Sequence, residues 1–461
     1  MFQASVYTNR RARLHKLMKS GIVLLPGNNE SAMNYLANTY HYRQDSNFSY
    51  FFALCQPGLV GVMDLDNDKD IIFGDDLDMD DIIWMGPQPT MKDRAALAGV
   101  KEVMPSQELF DFIQKATNAG RTIHYLPSYR GETVLWYGKM LGISPDFVKN
   151  YTSKELIKAV VQLREIKEDV EIKAIEEMVD VAYEMQTTAM KMAKPGVIEQ
   201  EIFGTIEGIA LAKASGTSFP IILSIDGQTL HNHFHGNTLV PGRMMVIDCG
   251  AESHINYCSD ITRTVPVGGK FNERQKSIYN IVLKANMDTI AATKPGVLNR
   301  DIHLLAAKTI AQGLKDLGLM KGDIDAAVSA GAHALFFPHG LGHMMGMDVH
   351  DMEGLGENNV GYDEEISRAS QFGLAFLRLG KRLKPGFVLT IEPGIYFIPA
   401  LIDQWMAEGK CAEFINYDKV ETYKDFGGIR LEDDILVTET GHRVLGKPIP
   451  KTVEEIEAMM A

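Results

Sequence analysis

The chain has 461 residues, 45% of them hydrophobic and 23% charged, which fits two or three domains with buried cores and excludes a disordered protein. Its formal net charge of −14 speaks against a nucleic-acid backbone or an anionic membrane as partner. The four cysteines, Cys55, Cys249, Cys258 and Cys411, form no CxxC pair, so they predict buried small side chains and neither a disulfide framework nor a thiolate zinc site.

The first residues contain no apolar run, and Gly21–Pro26 is too short for a signal peptide or a membrane span, so a cytoplasmic location is expected. Apolar and basic residues at helical spacing from Thr8 to Ser20 predict a helix, and Ile22–Leu25 a buried strand closed by Pro26-Gly-Asn-Asn. Gly58–Asp64 and Asp70–Gly74, joined by Asp66-Asn-Asp-Lys, read as a hairpin. Helix and strand signals alternate to about residue 150, and no cluster of catalytic residue types occurs there.

From Ser153 to Lys194 the pattern is one of long, charged, amphipathic helix, including Leu163–Lys173, whose charges read as a solvated face. A domain boundary near residue 160 follows, giving units 1–160 and 161–461. Beyond it the chain repeats itself. Lys194-Pro-Gly-Val and Lys294-Pro-Gly-Val each open an acidic helix start, and Pro241-Gly-Arg-Met-Met-Val-Ile-Asp248 is echoed by Pro385-Gly-Phe-Val-Leu-Thr-Ile-Glu392. A hydrophobic strand ending on an acid, twice and in the same order, predicts a pseudo-twofold sheet whose halves converge on one site.

Four acids lie on or beside strand-like apolar segments: Asp248, Asp260 in Tyr257-Cys-Ser-Asp-Ile-Thr, Glu392 in Leu389-Thr-Ile-Glu-Pro-Gly, and Glu432 in Gly428-Ile-Arg-Leu-Glu. Buried carboxylates must be paired, hydrogen-bonded or metal-bound. Together with His343 they have the composition of a two-metal hydrolase site, hard oxygen donors with one imidazole, which suits Mn²⁺ or Co²⁺ and tolerates Zn²⁺. His343 belongs to His339-Gly-Leu-Gly-His343-Met-Met-Gly-Met-Asp-Val-His350, where the glycines predict a loop and leave the backbone free to approach a ligand. His231, grouped with His233 and His235 upstream of the first acid strand, is a candidate substrate contact. No HExxH, Gly-x-Ser-x-Gly, P-loop or Rossmann fingerprint competes.

These residues resemble the pita-bread metallopeptidases of family M24 that cleave Xaa-Pro bonds, prolidase and aminopeptidase P. The resemblance is carried by Tyr40-His-Tyr-Arg-Gln-Asp-Ser-Asn-Phe, Asp248, Ser259-Asp-Ile-Thr-Arg-Thr, His339-Gly-Leu-Gly-His343, Ile391-Glu-Pro-Gly and Gly428-Ile-Arg-Leu-Glu432-Asp-Asp. It implies an α/β (α+β) fold, with a creatinase-like N-terminal α/β domain that covers the cleft or builds a homodimer or larger oligomer, and a C-terminal pita-bread domain with a pseudo-twofold curved sheet. It further implies two divalent ions, Mn²⁺ first, with Asp248 on one, Asp260 and Glu432 bridging, and His343 and Glu392 completing the second. His231, His339 and His350 would hold substrate, Arg430 would orient a ligand carboxylate, and Glu392 would also serve catalysis. One departure stands out, twelve positions from Asp248 to Asp260 where the family usually has eleven; an extra residue near Glu252–Asn256 would leave both acids in place.

Glu392-Pro-Gly-Ile-Tyr396-Phe-Ile, Phe426-Gly-Gly-Ile-Arg and the Pro450 tail resemble prolidase more than bacterial aminopeptidase P. Arg378 falls where prolidases place an arginine for the dipeptide's terminal carboxylate, and Tyr396 is grouped with it at the substrate. The expected activity is therefore an Xaa-Pro dipeptidase. Action on longer Xaa-Pro peptides, a non-catalytic peptide-binding protein and a creatinase-like non-metal enzyme are the alternatives.

Overall fold

The computed structural model describes residues 1–461, which form two compact units: Met1–Arg164 with Met352–Asn359, and Glu165–Asp351 with Val360–Ala461. In the first unit, a five-stranded mixed sheet runs in the order Glu102–Met104, Lys69–Phe73, Val60–Asp64, Ile22–Pro26, Ile123–His124. The expected hairpin is its centre, pairing Met63 with Asp70 and Gly61 with Ile72. Ile22, Leu24, Val62, Ile71 and Phe73 supply a buried cluster to which Ile113 and Tyr137 add from flanking helices. The expected first helix spans Ala4–Leu17.

The stretch from Ser153 to Lys194 is two helices, Lys154–Arg164 and Asp169–Met192, separated by a turn at residues 165–168. Its charges correct the expectation of a solvated face, because Arg164, Glu165, Lys167 and Glu171 are all buried. The amide of Lys167 donates to the Gly386 carbonyl (2.8 Å), which ends helical hydrogen bonding there. Helical periodicity alone does not distinguish a charge facing water from one paired inside. Of the cysteines expected to be buried, Cys249 and Cys258 are, whereas Cys55 is exposed and Cys411 partly so.

In the second unit, the duplicated sequence becomes duplicated structure. Helices Asp169–Met192 and Glu199–Lys213 form one packed pair, and Glu273–Ala292 and Asn299–Asp316 the other. Each Lys-Pro-Gly-Val segment makes the same ladder. Gly196 N–H donates to Leu239 O (2.8 Å) and Leu239 N–H returns to Val197 O (2.8 Å); Gly296 N–H donates to Leu383 O (2.9 Å) and Leu383 N–H returns to Val297 O (2.9 Å). Gly196 and Gly296 both take positive φ, +89° and +83°, which a Pro-Gly turn requires and a side chain resists. The strands that follow are antiparallel and buried: Met244–Cys249 with Ile261–Pro266, and Val388–Ile391 with Asp433–Val437.

Two buried amides, on the first helix of each pair, finish this symmetry. Gln186 Nε2 donates to the carbonyls of Ile247 (3.1 Å) and Ile261 (2.7 Å), neighbours of Asp248 and Asp260. Asn286 Nδ2 donates to those of Ile391 (3.2 Å) and Leu431 (3.4 Å), which directly precede Glu392 and Glu432.

Candidate active site

Each acid stands at a strand end or inside a strand, where the backbone is fixed and the side chain is aimed by the pleat. Asp248 lies within Met244–Cys249 opposite Thr262, Asp260 immediately precedes Ile261–Pro266, Glu392 immediately follows Val388–Ile391, and Glu432 lies between Gly428–Arg430 and Asp433–Val437. Between Asp248 and Asp260 the chain makes a turn at Ser253–Tyr257, where Asn256 adopts φ +69°. Asp260 is not displaced: ligand atoms of Asp260, His343 and Glu432 all lie within 4.8 Å of one another.

These residues line a cavity of about 220 Å³, together with Asp248, Glu392, His231, His233, His339, His350, Arg378 and Arg430. The structure thus gathers at one place nearly every residue singled out from the sequence. Tyr396 is the exception. It is buried and absent from the lining, with its hydroxyl accepting from Arg430 Nη1 (2.9 Å) and meeting His339 Nε2 (2.9 Å), so it stands behind the cavity wall. His235 also turns away, stacked on Phe203 at 4.4 Å with Nδ1 on the Leu223 carbonyl.

The charge balance of the cavity is unfavourable as it stands. Four carboxylates share the cavity with two arginines, Arg378 and Arg430, of which Arg430 pairs with Asp248 and donates through Nε to Thr262 Oγ1 (3.2 Å). Burial, then the charges of Glu432 and Asp248, push the Asp260 carboxyl well above its ordinary range; burial, then Glu392 and Asp248, do the same to Glu432. Burial also raises Glu392 to about 7, against the pull of Arg430. One carboxylate oxygen each of Asp248 and Asp260 is buried without a hydrogen-bond partner. A buried, unpaired anionic oxygen is very costly, so these atoms call for a cation.

His343 gives the clearest indication. Its Nδ1 faces the Met344 carbonyl at 3.0 Å, which a neutral ring satisfies only by carrying its proton there. The lone pair of Nε2 then points at carboxylate oxygens of Asp260 (3.5 Å) and Glu392 (3.8 Å), three electron-rich groups facing one another. A divalent ion among them converts mutual repulsion into ligation, and the oxygen-rich donor set with one imidazole fits such an ion.

Two further histidines of the cavity, His339 and His231, are held neutral. Burial, with Arg430 nearby, depresses His339 to about 3 and lowers His231 as well. With Nδ1 on the Gly340 carbonyl (2.7 Å), His339 accepts the Tyr396 hydroxyl at Nε2, so the order Arg430, Tyr396, His339, Gly340 forms one donor chain. His350 stacks on His343 at 3.9 Å between centroids. Gly340 and Gly342 line the cavity, and they also meet a second demand. A Cβ on Gly342 would lie 1.9 Å from the Thr390 carbonyl oxygen, and one on Gly340 2.8 Å from the backbone of Phe376 and Leu377, so they let the loop press against the protein's own chain.

Several contributors were not visible beforehand. Thr262 donates to Glu432 (2.7 Å), Asp434 accepts the Asp260 amide (3.0 Å), and buried Arg263 holds the Glu432 carbonyl (2.7 Å). All three lie inside quoted motifs but at positions whose facing a one-dimensional pattern leaves open. Phe219, Pro220, Leu230 and Phe376 form an apolar wall that no motif marks.

The comparisons agree with this geometry. Metallopeptidase family M24 matches residues 173–439, and the aminopeptidase P N-terminal domain matches residues 7–126. An Xaa-Pro dipeptidase of Homo sapiens is 32% identical, covering 98% of this chain and 91% of the relative. A probable Xaa-Pro aminopeptidase, pepP, of Aspergillus clavatus is 30% identical, covering 98% and 95%. Among solved structures, Pseudomonas aeruginosa aminopeptidase PepP superposes with TM-score 0.82 at 26% identity, covering 100% of this chain and 98% of that one. Zn-substituted Escherichia coli aminopeptidase P in complex with product gives 0.81 at 27% identity, with the same coverage. Sequence match, fold and carboxylate cluster coincide, and the chain belongs to metallopeptidase family M24.

Proposed function

We propose that this protein is a two-metal Xaa-Pro peptidase of the dipeptidase type. The observation that carries the reading is the convergence of Asp248, Asp260, Glu392, Glu432 and His343 on one small cavity, with His343 Nε2 turned toward Asp260 and Glu392. Asp248, Asp260, His343, Glu392 and Glu432 would hold two divalent ions; Mn²⁺ is the first choice, with Co²⁺ or Zn²⁺ accepted. When bound, such ions supply Lewis acidity to the scissile carbonyl and to a water at neutral pH.

The chain's own groups do the rest. Glu392 takes the proton of the attacking water and returns it to the proline nitrogen as the bond breaks. Neutral His231 and His339, together with His350, hold the peptide backbone and the developing oxyanion, and the Arg430–Tyr396 pair fixes the His339 ring. Arg378, on the same cavity, receives the dipeptide's terminal carboxylate, which is the specific support for a dipeptidase. The relatives named as Xaa-Pro dipeptidases favour the same choice, while the structural neighbours named as aminopeptidase P favour longer Xaa-Pro peptides.

The test compares Ala-Pro and Leu-Pro with an Xaa-Pro-Pro tripeptide on Mn²⁺-loaded protein. Faster turnover of the tripeptide reverses the choice, and absence of bound ions after reconstitution in Mn²⁺ removes the metal-dependent reading. No helix is long and apolar enough to cross a membrane. A cytoplasmic location and a homo-oligomeric state are part of the proposal, to be checked by fractionation and light scattering.

A further inference from the structure

The buried charges of the turn between Lys154–Arg164 and Asp169–Met192 do not belong to the catalytic cluster, yet they reach toward it along two paths. Glu165 accepts from Lys381 Nζ (2.7 Å) and Lys384 Nζ (2.8 Å), its side chain 6% exposed. Lys167 Nζ donates to Asp351 Oδ2 (2.8 Å), with both side chains 1% exposed. Asp351 is the residue after His350, and Lys381 lies three residues after Arg378. The backbone of the same turn is tied in by the Lys167 amide on the Gly386 carbonyl.

The segments so held are irregular. Residues 343–352 and 377–384 contain no helix or named strand, and their regular backbone pairing is confined to the single bridges Met344–Leu389 and Leu298–Arg382. Local ties exist, such as the Asp351 amide on Met344 O (2.9 Å) and Asn299 Nδ2 on Leu379 O (2.8 Å), but they fix each segment only against its immediate surroundings. The turn supplies what both segments share, two oppositely charged anchors two residues apart on one rigid piece of backbone.

Stability does not account for ions here. Desolvating a buried pair roughly cancels its attraction, and apolar replacements of similar volume are often neutral or better. Directional charged hydrogen bonds, by contrast, define one position for a loop where apolar packing allows several.

We propose that the Glu165–Ile166–Lys167 turn is a positioning element for substrate recognition, in which Glu165 sets the arm carrying Arg378 and Lys167 sets the arm carrying His350. The inference rests on the reading that Arg378 and His350 contact substrate. It predicts that the turn governs substrate binding and leaves the metal-bearing strands alone.

The experiment uses the full chain with Glu165→Gln, Lys167→Met and the double variant Lys167→Met/Asp351→Leu. Expected results are a rise in KM for Xaa-Pro dipeptides of about tenfold, a smaller change in kcat, and unaltered metal content. The double variant regains the thermal stability lost in Lys167→Met, because no unpaired buried ion remains, while its KM stays high. Amide hydrogen exchange gives a readout independent of turnover: residues 346–351 speed up in Lys167→Met and 378–384 in Glu165→Gln, with 244–249 and 388–391 unchanged. Should Lys167→Met fail to fold, Glu165→Gln carries the test through its own arm. Exchange in the arms equal to wild type, or a double variant that regains both stability and KM, overturns the proposal. A wild-type protein inactive on every Xaa-Pro substrate would instead overturn the functional reading, and the exchange data would still decide whether the turn sets the arms.

Discussion

Replacing Asn286 with Leu, its near-isostere, removes two hydrogen bonds from the carbonyls of Ile391 and Leu431 and leaves Lys451 Nζ without its Asn286 Oδ1 partner at 3.0 Å. Both carbonyls directly precede proposed metal ligands, so the change loosens Glu392 and Glu432 without touching either. Loss of such supporting contacts typically weakens metal affinity by roughly 10–100-fold, or about 1.4–2.8 kcal/mol. The Asn286 bonds are long, 3.2 and 3.4 Å, which places the effect at the low end. Gln186→Met removes bonds of 3.1 and 2.7 Å beside Asp248 and Asp260, so its effect should be the larger of the two. Titration of chelator-stripped protein with Mn²⁺ measures both constants, and thermal unfolding of the same stripped samples reports any general loss of stability. Affinities within threefold of wild type, in variants whose unfolding temperatures have fallen, would show that these amides support the fold and not the ligands.

The histidines of the loop separate by role: His343→Ala should lose metal and activity together, whereas His339→Ala should lose turnover and retain metal, as elemental analysis of purified protein will show. Metal loss from the His339 variant would mean the loop's labour is divided differently. Arg378→Ala should raise KM for dipeptides more than for Xaa-Pro-Pro tripeptides in steady-state assays; equal effects would detach Arg378 from the terminal carboxylate. His303 and His333 are buried neutral bases, depressed by burial to about 3 and about 4. Their stabilisation is complete above the unfolded value near 6.5 and is lost as pH falls below it, each by about 2 kcal/mol at pH 5. In metal-free protein, His333→Leu should therefore halve that share of the pH dependence in urea unfolding between pH 7 and pH 5, and an unchanged slope would refute the assignment.

What the sequence revealed and what it hid divide along a physical line. The repeat, the acid-terminated strands and the histidine loop are one-dimensional patterns, and the covalent spacing of Pro241-Gly to Asp248 and Pro385-Gly to Glu392 carried straight into matching ladders. Facing and burial are not covalent properties. The charges of Leu163–Lys173 follow a helical period, yet Glu165 and Lys167 are inside because Lys381, Lys384 and Asp351, roughly two hundred residues away in sequence, meet them there. Tyr396 is grouped with the substrate residues by sequence, whereas the pleat of Gly394–Tyr396 against Gly428–Arg430 sends its hydroxyl to Arg430. Gly340 and Gly342 suggested a ligand against the backbone and do line the cavity, but the packing of Phe376–Leu377 and Thr390 against them was not legible.

The duplication explains one half of the site and leaves the other half to its departures from symmetry. Both halves deliver carboxylates on strands whose ends are held by an amide from the first helix of the pair, Gln186 in one and Asn286 in the other. A symmetric cluster of acids can gather cations, but it has no means of telling one end of a peptide from the other. His339, His343, His350 and Arg378 all come from the long connection between Asn299–Asp316 and Val388–Ile391, which in the other half is far shorter, running from Glu199–Lys213 to Met244–Cys249. That connection is irregular around the site, so its histidines and arginine depend on side-chain anchors for the precision that the strands give the acids. The buried ions at Glu165 and Lys167 occupy the place where such anchoring is needed, which is why a charged turn lies inside a unit whose metal-bearing strands do not require it.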